Sequence, residues 1–305
     1  MKTPPYLKLG DEVRIISTAR KISKKELMPA IQRLESWGLN VTFGENLFAE
    51  DHQFAGTRAQ RLADLQAAID DSAVKAILCA RGGYGSVQLI DGVDFKNFQA
   101  NPKWLIGYSD VTVLHCHINQ NFNIETLHAN MPINFAPFKD SDSAAESIRK
   151  ALFGEALIYD FEAEEESILN FDNSLEAPVF GGNLSILYSL SGSESALRQS
   201  GHFIFMEDLD EYLYHIDRMM MNLKRASLFE GCKGILVGGM TDMNDNTIPY
   251  GRTAKEIILE NTAEIDIPVI FGLPAGHIKN NMALILGRKI SINGEGRRLK
   301  LHFHG

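Results

Sequence analysis

The chain is poor in cysteine: Cys79, Cys116 and Cys232 are its only three, widely spaced and with no CxxC pair. An odd, unpaired set excludes a disulfide framework. It predicts a reducing, cytoplasmic setting in which each thiol is a small buried apolar group. Long apolar runs are missing as well. No stretch approaches the ~18 residues needed to cross a bilayer, and the opening MKTPPYLKLGDEVRI lacks the apolar core of an export signal. Basic clusters are absent too, and 30 Lys and Arg against 39 Asp and Glu leave a net charge of −9. Nucleic acid and anionic membrane are therefore poor partners. The phosphate-loop GK[ST], the dinucleotide G-x-G-x-x-G and the metalloprotease H-E-x-x-H do not occur.

What is present is an alternation. EVRIIST (12–18), NVTFGENL, AVKAILCA (73–80), KWLIGYSD and NIETLHA read as strands. Helical stretches lie between them at 24–38, closed by Gly38, and at 57–71. Ser23 with Glu26, and Thr57 with Gln60, have the spacing of capping boxes. Strands alternating with helices of this length predict a parallel α/β sheet, with ligands beyond the carboxyl ends of its strands. At 305 residues the chain is long enough for about two domains. The expected division is a nucleophile-bearing domain over 1–135, a connector over 136–175 and a second domain over 176–305. The connector carries a helix predicted to start on a Ser143–Glu146 box, and an acidic cluster (Glu162, Glu164 to Glu166) that reads as a solvated face. In the last part, HFIFMED (202–208), CKGILVGGM and IPVIFGLPAGH are strands. LILGRKISIN and RRLKLHFH look like a closing antiparallel pair.

Chemistry-bearing residues gather at strand ends. CARGGYGS (79–86) is a Gly-rich turn whose backbone N–H groups suit an anion or an oxyanion. Ser109 stands at a strand-to-helix corner, where it is a helix cap or an exposed nucleophile. Val111 occupies the place of the final glycine in a G-x-S-x-G elbow. Glu207 closes the FMED strand, and His277 follows Pro274-Ala275-Gly276. A serine hydroxyl needs a base and the base needs an orienting acid. His277 and Glu207 supply that pair in the chain order Ser–acid–His. The N–H groups of Asp110 and of the Gly82-Gly83 turn are the available oxyanion donors. His115 with His117, and His302 with His304, form H-x-H pairs. The first lies on a helix, where i and i+2 diverge, and the second has no third ligand, so no metal is expected.

FAGTRAQRLADLQAAIDD, AILCARGGYGS, LIGYSDVTVLH, GGNLSILYSLSG, FMEDLDEYLYHIDRMMMNL and GLPAGHIKNNMALILG resemble, in order, the signature blocks of the serine LD-carboxypeptidases. That family includes muramoyltetrapeptide carboxypeptidase and the microcin C immunity peptidases. The resemblance implies a flavodoxin-like N-terminal domain and a smaller swivelling β/β/α-type C-terminal domain. It further implies a triad of Ser109, Glu207 and His277, and oxyanion donors at the backbone of Gly83 and Asp110. No cofactor or metal is implied, and the expected assembly is a homodimer. The substrate would be a murein tetrapeptide losing its terminal D-Ala, or, in the immunity branch, an aminoacyl-nucleotide-like toxin. PAGH stands where PFGH is common. The immunity branch stacks its nucleotide on an aromatic residue, often Trp. Here Trp37 and Trp104 both lie in the first domain, leaving Phe153, Tyr159, Phe161 and Phe171 as substitutes. A non-catalytic module binding a small anion is the reading from another class.

Overall fold

A computed structural model describes residues 1–170 and 174–304. Strands β1 (Glu12–Ile16), β2 (Asn40–Phe43), β3 (Val74–Cys79), β4 (Trp104–Gly107) and β5 (Thr126–His128) alternate with helices α1 (Lys24–Ser36), α2 (Arg58–Asp70), α3 (Lys96–Ala100) and α4 (Thr112–Phe122). The strands pair in parallel in the order β2-β1-β3-β4-β5. That is the flavodoxin-like order, with its switch point between β1 and β3. The continuous apolar runs of β3 and β4 are buried on both faces, as a helix-covered parallel sheet requires. Both predicted capping boxes form.

The remainder runs through α5 (Ser143–Phe153), β6 (Ile158–Glu162), β7 (Ser174–Asn183), α6 (Leu184–Ser189), β8 (Phe203–Leu209), α7 (Leu213–Arg225), β9 (Gly234–Thr241), α8 (Ala254–Thr262), β10 (Val269–Phe271), β11 (Leu284–Leu286), β12 (Lys289–Glu295) and β13 (Arg298–Phe303). A second, mixed sheet has the order β10-β9-β8-β7-β12-β13-β6. Strands β7 to β10 are parallel, and β12, β13 and β6 add antiparallel. Two apolar core clusters each draw on both sheets, one running from Leu7 to Phe303 and the other from Ile16 to Phe271.

Two expectations need correction. The cap of α5 is Asp142, whose carboxylate accepts from the Ala145 N–H at 2.8 Å. Asp is as good a cap as Ser, and its position one residue earlier wins. The segment LILGRKISIN is two strands: β12 pairs with β13 as expected, but β11 crosses to the first sheet and pairs antiparallel with β5. A three-residue strand carries no periodicity to reveal its partner. The acidic cluster lies on a solvated face, where Glu164 and Glu166 pair with Lys255 and Glu162 pairs with Arg297.

Candidate active site

β4 delivers its chain into a sharp corner. Ser109 has φ +62°, a left-handed conformation that costs a non-glycine residue about 1–3 kcal/mol. The corner is tight because Val111 lies over Gly107, where an added Cβ would meet it at 2.8 Å. Valine thus fills the space the missing elbow glycine would have left open. The Ser109 side chain caps no helix. It is partly exposed, and it faces the Gly-rich turn: a Cβ on Gly82 would lie 3.3 Å from its Oγ.

The turn itself is held from behind. Asp110, 1% exposed, accepts from the Ser86 N–H at 2.8 Å. Burial pushes its carboxyl above the ordinary range against the pull of Ser86, Gly85 and Arg61. The buried Arg61 guanidinium donates to the carbonyls of Thr18 (2.8 Å) and Gly85 (3.3 Å). Gly83 has φ +114°. The N–H groups of Gly82 and Gly83 donate to no protein acceptor among the described residues, so each is available to an oxyanion. Asp110 and Gly83 line one cleft with Ser109.

The candidate acid comes from the second sheet, and the candidate base from the segment that follows its strand β10. Glu207, two residues before the end of β8, is fully buried. Its Oε2 accepts from the His277 ring at Nδ1 (2.7 Å) and from the His277 backbone N–H (3.0 Å). This bond places the ring proton on Nδ1 and leaves Nε2 as an acceptor. Burial disfavours the charged ring, but the hydrogen bond and charge of Glu207, with Asp208 behind it, outweigh burial and hold His277 above its ordinary value. Gly276, at φ +101°, has to be glycine: a Cβ there would stand 2.6 Å from Glu207 Cβ and 2.7 Å from Oε2. The loop is tied down by Asn281, which accepts from the Gly276 N–H (2.8 Å) and donates to Asn130 just beyond β5 (3.1 Å).

Both halves meet at a cleft of about 500 Å³ lined by Ser109, Gly83, Asp110 and His277. The Tyr108 ring packs against His277 at a tilt of 52°, with ring centroids 4.7 Å apart. The join between the sheets is close. A Cβ on Gly182 would meet Thr112 Oγ1 at 2.5 Å, and that hydroxyl accepts from the Asn183 N–H at 3.0 Å. Arg20 and Arg81 flank one part of the cleft, and Asp208, Asp210 and Glu211 another. Asp208 accepts from Asn183, Ser185 and Leu209. Burial, then the charge of Glu207, still pushes it up to about 7.

The residues weighed for other roles lie elsewhere. Cys79 and Cys116 are buried, which pushes both thiols up to about 12. His115 turns to the Gly107 carbonyl (2.8 Å) and His117 to Ser195 (2.9 Å), so this H-x-H pair diverges. No cluster of metal-ligating side chains occurs among the described residues. Tyr159 is buried with its hydroxyl on the Ala283 carbonyl, Trp104 is fully buried, and Trp37 caps α1. None of these, nor Phe153 or Phe161, lines the cleft. Phe171 lies outside the described residues. The roles of Asn130, Asn281 and Arg61 escape sequence reasoning, because a buried amide and a buried guanidinium look like surface residues in a string of letters.

Two family models cover most of the chain: the LD-carboxypeptidase N-terminal domain matches residues 13–129 and the LD-carboxypeptidase C-terminal domain residues 176–292. A probable murein peptide carboxypeptidase of Bacillus subtilis is 35% identical, over 95% of this chain and 91% of its own. Among solved structures, muramoyltetrapeptide carboxypeptidase from Oxalobacter formigenes superposes with a TM-score of 0.86 at 22% identity, covering 96% of this chain and 99% of that one. The microcin C7 self immunity protein in complex with aspartyl sulfamoyl adenosine gives 0.84 at 24%, covering 97% of each. At these identities the two structures establish the shared fold.

Proposed function

The chain belongs to the LD-carboxypeptidase family, and from that premise we propose that it is a serine peptidase removing the terminal D-Ala of a murein tetrapeptide. The observation that carries the reading is the 2.7 Å bond between His277 and the buried Glu207, made in the cleft that holds the strained Ser109. In this mechanism Ser109 Oγ attacks the carbonyl of the L-centre diamino acid while its proton passes to His277 Nε2. Glu207 stabilises the imidazolium, and the N–H groups of Asp110 and Gly83 receive the oxyanion. The C–N bond then breaks, His277 gives its proton to the leaving amine, and an acyl-enzyme remains. Water, deprotonated by the same ring, releases the shortened peptide.

Charge favours this substrate over an aspartyl nucleotide. Asp210 and Glu211, with Asp208 partly ionised, would attract the side-chain ammonium of a diamino acid and repel an aspartyl carboxylate. Nor does an aromatic shelf for a nucleobase line the cleft among the described residues, apart from Tyr108 beside the base. A cytoplasmic site of action fits three buried free cysteines and the family's substrates, and a homodimer is the proposed assembly. No helix of the described residues is long and apolar enough to cross a membrane.

Mass spectrometry of a purified tetrapeptide muropeptide before and after incubation should show loss of one alanine. A serine-directed phosphonate should label Ser109. Preference for an aminoacyl-sulfamoyl nucleoside would move the protein to the immunity branch. An unlabelled Ser109 with no turnover of either would leave a non-catalytic binding module.

A further inference from the structure

A carboxypeptidase has to distinguish a chain end from a chain interior, and the only feature that marks the end is a free carboxylate. In the reaction proposed above the leaving group is a single residue, so its carboxylate lies within about one residue length, ~3.8 Å, of the scissile linkage. The cation that reads it must therefore sit beside the oxyanion turn.

Two guanidinium groups line the cleft, Arg20 and Arg81. Arg81 has protein partners, both at long range: its Nη1 lies 3.8 Å from Glu26 and donates to the Lys21 carbonyl at 3.5 Å. Neighbouring Lys21 is paired with Glu50 at 2.6 Å. Arg20 forms no ion pair and no side-chain hydrogen bond with protein among the described residues, although its backbone is fixed. Its carbonyl accepts from Ser17 Oγ (2.7 Å), it bridges to Phe54, and the Ala19 carbonyl next to it accepts from Ala55 (3.0 Å). Its side chain lies across Gly83, where an added Cβ would meet Arg20 Cδ and Nε at 2.6 Å. Gly83 follows Gly82, which abuts Ser109 Oγ. A charged fork on an anchored backbone, uncommitted to any acid and laid over the turn that faces the nucleophile, is suited to bidentate capture of a carboxylate.

We propose that Arg20 binds the free terminal carboxylate of the substrate and is the residue that confines cleavage to the chain end. The assignment rests on the peptidase reading above. Gly83 is glycine because of its φ of +114°, and the absence of a Cβ there leaves room for the arginine stem to lie across the turn. The Asp208–Glu211 part of the cleft then receives the other, cationic part of the peptide, so that opposite charges at two places fix one orientation.

The test compares an L,D-tetrapeptide with the same peptide amidated at its C-terminus, using wild type, Arg20→Gln and Arg20→Lys. Wild type should prefer the free acid in kcat/KM by on the order of 10²-fold, the worth of a charged hydrogen-bonded pair. In Arg20→Gln the acid-to-amide ratio should collapse towards 1. Arg20→Lys should restore part of it, since it keeps the charge but loses the fork. An unchanged melting temperature, expected for a side chain without protein partners, keeps folding out of the comparison. A ratio in Arg20→Gln equal to wild type sinks the assignment, as does an equal fall on both substrates. If wild type cleaves neither peptide, the peptidase reading fails first and the anchor with it.

Discussion

The two sides of the cleft are built on different principles. On the first sheet the proposed nucleophile is organised by backbone: a left-handed Ser109, a corner closed by Gly107 and Val111, and a turn that offers unpaired N–H groups. On the second sheet the proposed acid and base are organised by side chains: a buried carboxylate, a ring bonded to it, and an amide pair locking the loop. Backbone geometry stores strain and holds partial charges in place. Side-chain pairs hold protons and respond to pH. One reaction needs both, and they are placed on separate sheets.

That contrast can be broken at its strongest point first. Ser109→Ala should keep the fold and lower kcat by on the order of 10⁵ to 10⁶. Ser109→Gly should be equally inactive yet more stable by about 1 kcal/mol, because glycine relieves the left-handed strain. Chemical denaturation of the pair measures this, and an unstrained corner would show no gain.

The second side should answer through protons. Glu207→Gln should lower kcat by about 10⁴-fold by allowing the wrong tautomer. Because Glu207 holds His277 above its ordinary value, and the base acts when neutral, wild-type activity should rise with pH through a limb above ~6.5. In the residual activity of Glu207→Gln that limb should move down. A limb at the same pH in both proteins would separate the ring from its carboxylate. The stability sign agrees: a raised histidine helps the fold at low pH, fully below ~6.5, and this is lost as pH climbs through its folded value.

A further effect, on stability and not on turnover, concerns the acidic part of the cleft. Asp208 titrates near 7 in the fold, above the ordinary 3.8 of a free side chain. Its contribution is therefore complete below about pH 4 and is lost as pH rises through about 7. Asp208→Asn should flatten that fall. The pH-dependent difference in unfolding free energy between wild type and variant should be at most about 4 kcal/mol. Parallel curves would show that Asp208 is already ionised at low pH.

The parallel sheet and the strand-end residues could be read from the sequence because burial on both faces leaves long apolar runs. Strand β3 stops at Cys79 shortly before Gly82-Gly83, β4 stops at Gly107 two residues before Ser109, and β8 carries Glu207 close to its end. The partner of β11, the Asp142 cap and the Asn130–Asn281 lock could not be read. Each depends on a contact between distant parts of the chain and leaves no local period. Arg20 is the extreme case: a single exposed arginine acquires meaning from the glycine beneath it.

His277 lies between β10, which belongs to the second sheet, and β11, which belongs to the first. The segment 272–283 is thus a bridge moored on both banks, with the imidazole partway across. The proposed base is thus carried on a span whose two ends are fixed to different sheets, one of them through the three paired residues of β11.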